Sequence, residues 1–170
     1  MTPSTSTHYH LLIGPTESLA GKAECTPPEL KLVTQDYSSG GMAGTLKIAD
    51  GSVEPVELSF KMFEWLPAVL LAYGVRDGVS NQFILRLAQR APTGAVTTVQ
   101  MTARGLFYGY KGSELKAKQI GSIDCMVSCD YYRLDIGGVR IHEVDIERGI
   151  NFVGRKDLMA DVRQALGWIV

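Results

Sequence analysis

The residues of this 170-residue chain that could bind or react are few and scattered. His8 and His10 stand two apart, so both would project from one face of a strand as two metal ligands; a closed structural zinc site needs four, and no further ligand lies near them in the sequence. Glu143 and Asp145 share that spacing and could pass for an acid/base pair, but the sequence around them builds no recognisable pocket. The three cysteines, Cys25, Cys125 and Cys129, form no C-x-x-C pair. Four residues apart on one extended segment, Cys125 and Cys129 have α-carbons roughly 13 Å apart, beyond disulfide reach. Cys25 remains free to pair with either, although three reduced thiols are the expected state of a cytosolic product. Neither a G-x-S-x-G elbow, nor H-E-x-x-H, nor a cysteine with a plausible histidine partner occurs. No catalytic residue, cofactor or metal is expected.

The densest cluster of special residues is Tyr37-Ser-Ser-Gly-Gly-Met-Ala-Gly44, with Gly40, Gly41 and Gly44 within five positions. A phosphate-binding loop of the G-x-x-x-x-G-K-[ST] type uses its lysine to reach the phosphates, its hydroxyl to hold magnesium, and a following helix to supply amides. Here the lysine is missing and the following Thr45-Leu-Lys-Ile-Ala49 alternates like a strand, which also rules out the dinucleotide fingerprint. The expectation is a glycine-rich turn whose residues take positive φ.

The elements around these residues follow from the period of the apolar positions. Val56, Leu58, Phe60 and Met62 interleave with Glu57, Ser59 and Lys61, a half-buried strand. Weaker strand patterns cover about 8–13, 29–36, 45–49, 81–90 and 95–108. Leu66, Val69, Leu70 and Tyr73 recur at helical spacing, with Pro67 in the first turn and Gly74 at the stop. Leu158, Met159, Val162, Ala165 and Leu166 repeat that pattern up to Gly167. A hairpin closed by Gly137-Gly138 would set Ile136 opposite Val139, Asp135 opposite Arg140, Leu134 opposite Ile141 and a solvent-facing His142 opposite Arg133. Upstream of it the apolar set moves from odd positions (Ile123 to Tyr131) to even ones, which predicts either a β-bulge near Tyr131-Tyr132 or a strand that passes from one packing environment to another.

Composition narrows the function classes. An apolar content of 45% is enough for one sizeable core, read as a single domain over residues 8–170 behind a polar arm over residues 1–7. Seventeen basic and eighteen acidic residues leave a net charge of −1, without the basic excess of a phosphate-backbone binder. Neither a secretory signal nor a stretch long enough to span a bilayer is visible, so no membrane insertion is expected. Apolar residues stand instead where polar ones are usual: Met42 in the glycine loop, and Trp168, Ile169 and Val170 after the Gly167 stop. Such positions are expected to be interaction surfaces, although a tail that folds back on its own core would give the same pattern.

In sequence, Tyr37 to Gly44 resembles the Y-x-x-G-G-M-x-[GA] segment of the major tail tube proteins of contractile-tailed bacteriophages, the FII-like family shared with R-type pyocins. Tyr131-Tyr-Arg-Leu-Asp-Ile-Gly-Gly-Val-Arg-Ile-His-Glu-Val-Asp-Ile146 is similar to that family's Y-Y-[KR]-L block, and residues 150–167 to its closing helix; Pro28 to Lys31 falls at its L-P-K-L. The chain departs from the pattern at Gly14-Pro15, at Phe152-Val153-Gly154 and in running past the usual L-G-L ending. The resemblance implies an antiparallel β-sandwich or half-barrel with one flanking mid-chain helix and a short C-terminal helix. It also implies a structural, non-enzymatic subunit whose hexameric rings stack into the inner tube of a virion tail. Sheath, tape-measure, baseplate and tail-terminator proteins would be its partners, assembly would take place in the host bacterial cytoplasm, and DNA would pass the lumen without specific binding. Gly40, Gly41, Met42, Gly44, Trp168, Ile169 and Val170 are the expected subunit contacts. The alternative is a monomeric β-barrel that binds a ligand or nucleic acid, which should show a basic or aromatic stripe.

Overall fold

The computed structural model describes residues 4–14, 17–19, 22–75, 82–114 and 120–168. Among them the chain forms twelve strands and two short helices. In order these are β1 (Thr5–Ile13), β2 (Glu17–Ser18), β3 (Ala23–Thr26), β4 (Leu32–Tyr37), β5 (Leu46–Val53), β6 (Val56–Met62), α1 (Pro67–Leu70) and β7 (Gln82–Arg90). There follow β8 (Val96–Gly112), β9 (Ile123–Ile136), β10 (Val139–Asp145), β11 (Ile150–Val153), β12 (Lys156–Asp157) and α2 (Ala160–Ala165). All the strand pairings are antiparallel, and β1 takes in Thr5 to Thr7 from the polar N-terminal stretch.

Strand β9 organises the body. β8 runs along one of its edges over nearly the whole length, so the other edge is shared: β6 pairs with Ile123 to Cys129, and β10 with Tyr131 to Ile136. One long strand thereby belongs to two layers, β3-β6-β9-β8 on one side and β12-β11-β10-β9-β8-β7-β1-β2 on the other. Between them the register slips, with Arg104 opposite Tyr131 but Gly105 opposite Cys129, which leaves Asp130 as the extra residue of a bulge. Burial changes phase at the same point: Ile123, Cys125, Val127 and Cys129 are buried, then Tyr132. The bulge expected from the sequence thus forms, just before Tyr131. Strands that change sheets at bulges are how two layers close on one core, and here Phe60 of β6 meets Phe83 of β7 and Phe107 of β8 with ring centroids 5.9 and 6.1 Å apart.

The corner requires glycine. A β-carbon on Gly105 would lie 2.0 Å from the Ser128 carbonyl oxygen and 2.6 Å from Cys129 Cα, inside the neighbouring backbone.

The Gly137-Gly138 hairpin has its first two pairs as expected, Ile136 with Val139 and Asp135 with Arg140. A slip between Arg140 and His142 then corrects the rest: Leu134 faces His142, not Ile141, and Arg133 faces Glu143, not His142. His142 is half-buried on the inner face rather than solvent-facing. Here it lines a groove of about 250 Å³ with Leu30, Leu32, Val53, Val144 and Leu158.

Both helices are shorter than their apolar periods. In α1 the N–H groups of Leu70 and Leu71 reach back four residues, to Leu66 and Pro67, but those of Ala72 and Tyr73 reach back only three, and the Gly74 N–H goes to Phe107 O at 3.0 Å. One helical turn thus tightens and docks on β8, with Val69 fully buried beneath it. At α2, Leu158 and Met159 form a turn because Asp157 Oδ1 accepts the Met159 N–H at 3.0 Å and Asn151 O accepts that of Leu158 at 2.8 Å. The helix ends in a Schellman motif: Gly167, at φ 70°, donates to Gln164 O, and Trp168 donates to Arg163 O. Its apolar residues Val162 and Leu166 are exposed.

Candidate functional site

Three surfaces stand out once the core is accounted for. The first is an arm. β4 and β5 form a two-stranded sheet of their own, tied to the body at its base. Tyr37 pairs with Leu46, Asp36 with Lys47, Gln35 with Ile48 and Thr34 with Ala49. Alternation therefore puts Val33, Tyr37, Leu46 and Ile48 on one face, with Gln35 the polar residue among them, and Thr34 and the Asp36–Lys47 ion pair on the other. The apolar face is uncovered: Leu46 is 53% and Ile48 50% exposed. Residues 38–45 are the tip, held by a bond from Met42 N–H to Ser39 O at 3.1 Å, with the Met42 side chain exposed. Of the three tip glycines only Gly41 has positive φ, and among the described residues nothing lies within 4 Å of a β-carbon placed on Gly40, Gly41 or Gly44.

The base of the arm is joined to the body by a buried polar cluster. Asn151 on β11, 5% exposed, donates from Nδ2 to Gly51 O at 2.8 Å. Its own N–H goes to Asp157 Oδ1 at 3.2 Å, and Asp157 Oδ2 receives Arg163 at 2.6 Å. Arg163 also donates to Gly149 O at 2.7 Å. Burial acts to raise the Asp157 carboxyl, but the Arg163 guanidinium and the amides of Met159 and Asn151 outweigh it and hold the group below its ordinary value. Gly51, at φ 91°, packs so closely on the turn before α2 that a β-carbon there would meet Leu158 O at 3.1 Å and Met159 Sδ at 3.2 Å.

The second surface is the outer face of β1 and β7 to β10. Their inner face carries Leu11, Phe83, Leu85, Val99, Ala103 and Tyr132, all buried. The other carries Arg86, Gln100, Thr102, Arg104, Tyr131, Arg133, Asp135, Arg140 and Glu143, bonded across strands (Arg86–Gln100, Tyr131–Glu143) and along them (Gln100–Thr102, Arg133–Asp135, Arg140–Glu143), while Arg104 reaches across to Asp130 of β9. His8 and His10 lie at its edge opposite Ala88 and Arg86, and His10 Nε2 is 2.6 Å from Ser18 Oγ. Glu143 accepts from Tyr131 and Arg140, whereas Asp145, 4% exposed, accepts the Arg148 N–H, so the two carboxylates have separate partners. Among the described residues no three His, Cys, Asp or Glu side chains gather as a metal site.

The third surface is aromatic. Tyr73 meets Phe107 and Tyr110 edge-on, with centroids 5.8 and 5.6 Å apart, and Trp65 lies over Gly112. Leu71 and Phe63 are exposed as well, whereas Tyr108 turns to Glu57, its hydroxyl 3.4 Å from Oε1. At the far end Trp168 is exposed but leans on the chain's own Gly149; Ile169 and Val170 lie outside the described residues. The three cysteines are free thiols, and burial pushes Cys25 up to about 11 and Cys125 and Cys129 up to about 12.

Sequence reasoning missed Gly105, Asn151, Asp157 and Arg163. The signal for Asn151 was present, an amide inside the apolar run Ile150-Asn-Phe-Val153; nothing in sequence marked Gly105 as different from a glycine in an ordinary strand.

A two-layered β body with an exposed polar sheet face and an amphipathic arm, open on its apolar side, has the make-up of an assembly subunit. The chain belongs to the family described as Phage tail tube protein FII, which it matches over residues 12–167. It is a structural component of a phage-type tail. Its fold is similar to that of a chain in the six-fold symmetrised cryo-EM structure of the anti-feeding prophage baseplate, with a TM-score of 0.56 and 16% identity, covering 79% of this chain and 97% of that one. It is also similar to a chain of the anti-feeding prophage tube-terminating cap, with a TM-score of 0.51 and 12% identity over 80% and 91% of the two chains. No curated protein sequence matches it.

Proposed function

We propose that the chain closes into hexameric rings that stack as the inner tube of a contractile tail, with the arm as the joint between subunits. The observation that carries this reading is the arm itself. An isolated two-stranded hairpin is marginal in water, yet this one leaves Tyr37, Leu46 and Ile48 about half exposed. Each side chain buried by a neighbour would contribute on the order of 1.5–3 kcal/mol.

Symmetry supports the same reading. A ring or a filament uses heterologous contacts, in which two unlike patches of one chain meet on successive copies. The arm and the aromatic surface around Tyr73 are two such unlike apolar patches. In the ring, the polar face of β7 to β10 would line the lumen, where DNA or a tape-measure protein passes. Sheath, baseplate and terminator proteins would meet the outside and the ends, and assembly would occur in the host bacterial cytoplasm. The tip glycines Gly40, Gly41 and Gly44 have open space around them for a neighbouring backbone, and Met42 is an adaptable apolar plug. Trp168, Ile169 and Val170 would add a second contact.

Met42→Asp tests the joint. The variant should keep the thermal melt of the parent and fail to form rings or tubes in negative-stain micrographs and mass measurements. Tubes at parental yield would overturn the role given to the tip.

A further inference from the structure

Each arginine at the centre of the polar sheet face has a partner on that face. Arg133 Nε lies 2.9 and 3.0 Å from the two oxygens of Asp135 and its second nitrogen 2.8 Å from Oδ1, a bidentate grip that uses both carboxylate oxygens. Arg104 Nε donates to Asp130 Oδ1 at 3.2 Å, with the guanidinium 5.5 Å from the centre of the Tyr131 ring. Arg140 is paired with Glu143, whose other oxygen accepts the Tyr131 hydroxyl at 2.9 Å, and stacks 4.0 Å from the centre of Phe152. Arg86 has an amide in that role, Gln100 Oε1 at 3.2 Å.

These groups are not hidden. The side chains of Arg104, Arg133 and Arg140 are 37–40% exposed, while Asp135 and Glu143 are 13% and 18% exposed. Arg133 and Arg140 thus stand toward solvent with Asp135 and Glu143 beneath them, while Asp130, 33% exposed, lies level with Arg104. Without the acids, four guanidiniums on neighbouring strands would form a patch fit for phosphates, since arginine binds phosphate in the same forked geometry as carboxylate. A pair at this exposure adds little to stability, with a typical value of about 0–1 kcal/mol, so folding alone does not account for three of them side by side.

We propose that Asp130, Asp135 and Glu143 are built-in counterions that determine specificity: they occupy the arginine row so that a polyanion passes this face without being held. Phosphates would have to displace carboxylates already in place, with no condensed ions released in exchange. The benefit for a lumen rests on the tube reading above. The pairing itself is a property of the single chain and can be tested there.

The test compares the parent with the triple variant Asp130→Asn, Asp135→Asn, Glu143→Gln, using a fluorescent double-stranded DNA oligonucleotide as probe over a salt series. The parent should show weak, non-saturating binding. The variant should bind at least about tenfold tighter at ~50 mM salt, with a log–log salt slope steeper by about 0.9 for each arginine that takes up a phosphate. Adding Arg133→Gln to the variant should remove part of the gain. Equal binding by parent and folded variant overturns the proposal, as does strong binding by the parent. If the triple variant does not fold, the single change Asp135→Asn decides, with a smaller gain of the same sign expected. Nuclease digestion of DNA co-assembled with variant tubes separates the two readings: protected DNA places the face inside the tube. Digested DNA, with binding by the single chain retained, overturns the luminal reading and leaves the counterion role standing.

Discussion

The arm and the outer sheet face are both β-structure with side chains alternating at period two, and they treat solvent in opposite ways. On β7 to β10 the side turned outward is polar, and its hydrogen-bonding groups are matched to one another, from Arg86–Gln100 to Tyr131–Glu143. On β4 and β5 the outward side includes Tyr37, Leu46 and Ile48, and none of the described residues covers it. A polar face satisfied within the subunit can border water or a sliding cargo; an apolar face left open is completed only by another chain. The difference teaches that the body is a finished fold and the arm is not.

The strongest way to test that the body is self-sufficient is to break its corner. Gly105→Val forces a β-carbon into the Ser128 carbonyl and Cys129 Cα, backbone atoms with no flexible side chain to give way. The expected loss is on the order of 4 kcal/mol or more, a fall of roughly 10 °C in the melting temperature for a chain of this size. Gly109→Ala is the control: its β-carbon would meet only the flexible end of Met126, at 3.1 Å, and should cost under about 1 kcal/mol. Equal melts for the two variants would show that the strands do not approach closely at Gly105.

Between body and arm lies the Asn151, Asp157 and Arg163 cluster, and its effect should be intermediate. Asn151→Ala leaves the Gly51 carbonyl without its amide partner, worth about 1–3 kcal/mol. Hydrogen exchange in residues 46–53 should then rise more than in β9. The cluster also carries an acid dependence. Because the folded Asp157 carboxyl sits below its ordinary 3.8, the stability it contributes is fully present above that pH and is lost as pH falls through the lower folded value. Asp157→Asn should accordingly flatten the decline of stability with acid in that range. An unchanged slope would mean that Arg163 does not hold the charge.

How much of this was legible in the sequence follows the same division. The strand from Val56 to Met62, the Gly137-Gly138 turn and the bulge near Tyr131 were readable because period and phase are local properties. The slip at Ile141 was not, since each register makes an apolar pair, Leu134 with Ile141 in the expected one and Tyr132 with Val144 in the observed one, and only the three-dimensional packing of His142 and Val144 against the groove distinguishes them. Both helices were overestimated, because an apolar period says which side chains share a face and not whether a neighbour is there to cover it. Val162 and Leu166 keep the period and remain exposed. Gly105 was illegible for the complementary reason: its demand comes from Ser128, which lies 23 positions further along the chain.

The smallest effect on folding should accompany the largest effect on assembly, and it is found on the arm. Ile48→Thr keeps a β-branched side chain with a strong strand preference, but replaces an ethyl group of the apolar face with a hydroxyl. Since Ile48 is 50% exposed and opposite Gln35, the isolated subunit should change by no more than about 0.5 kcal/mol. Doubling the change with Leu46→Ser should still leave the melt near that of the parent. Both side chains, however, lie on a face that none of the described residues covers, so ring and tube yield should fall in step with apolar area lost, first with Ile48→Thr and further with the pair. A fall in monomer stability of more than about 1.5 kcal/mol for Ile48→Thr would indicate that this face is packed within its own subunit. The arm would then be a finished part of the body after all.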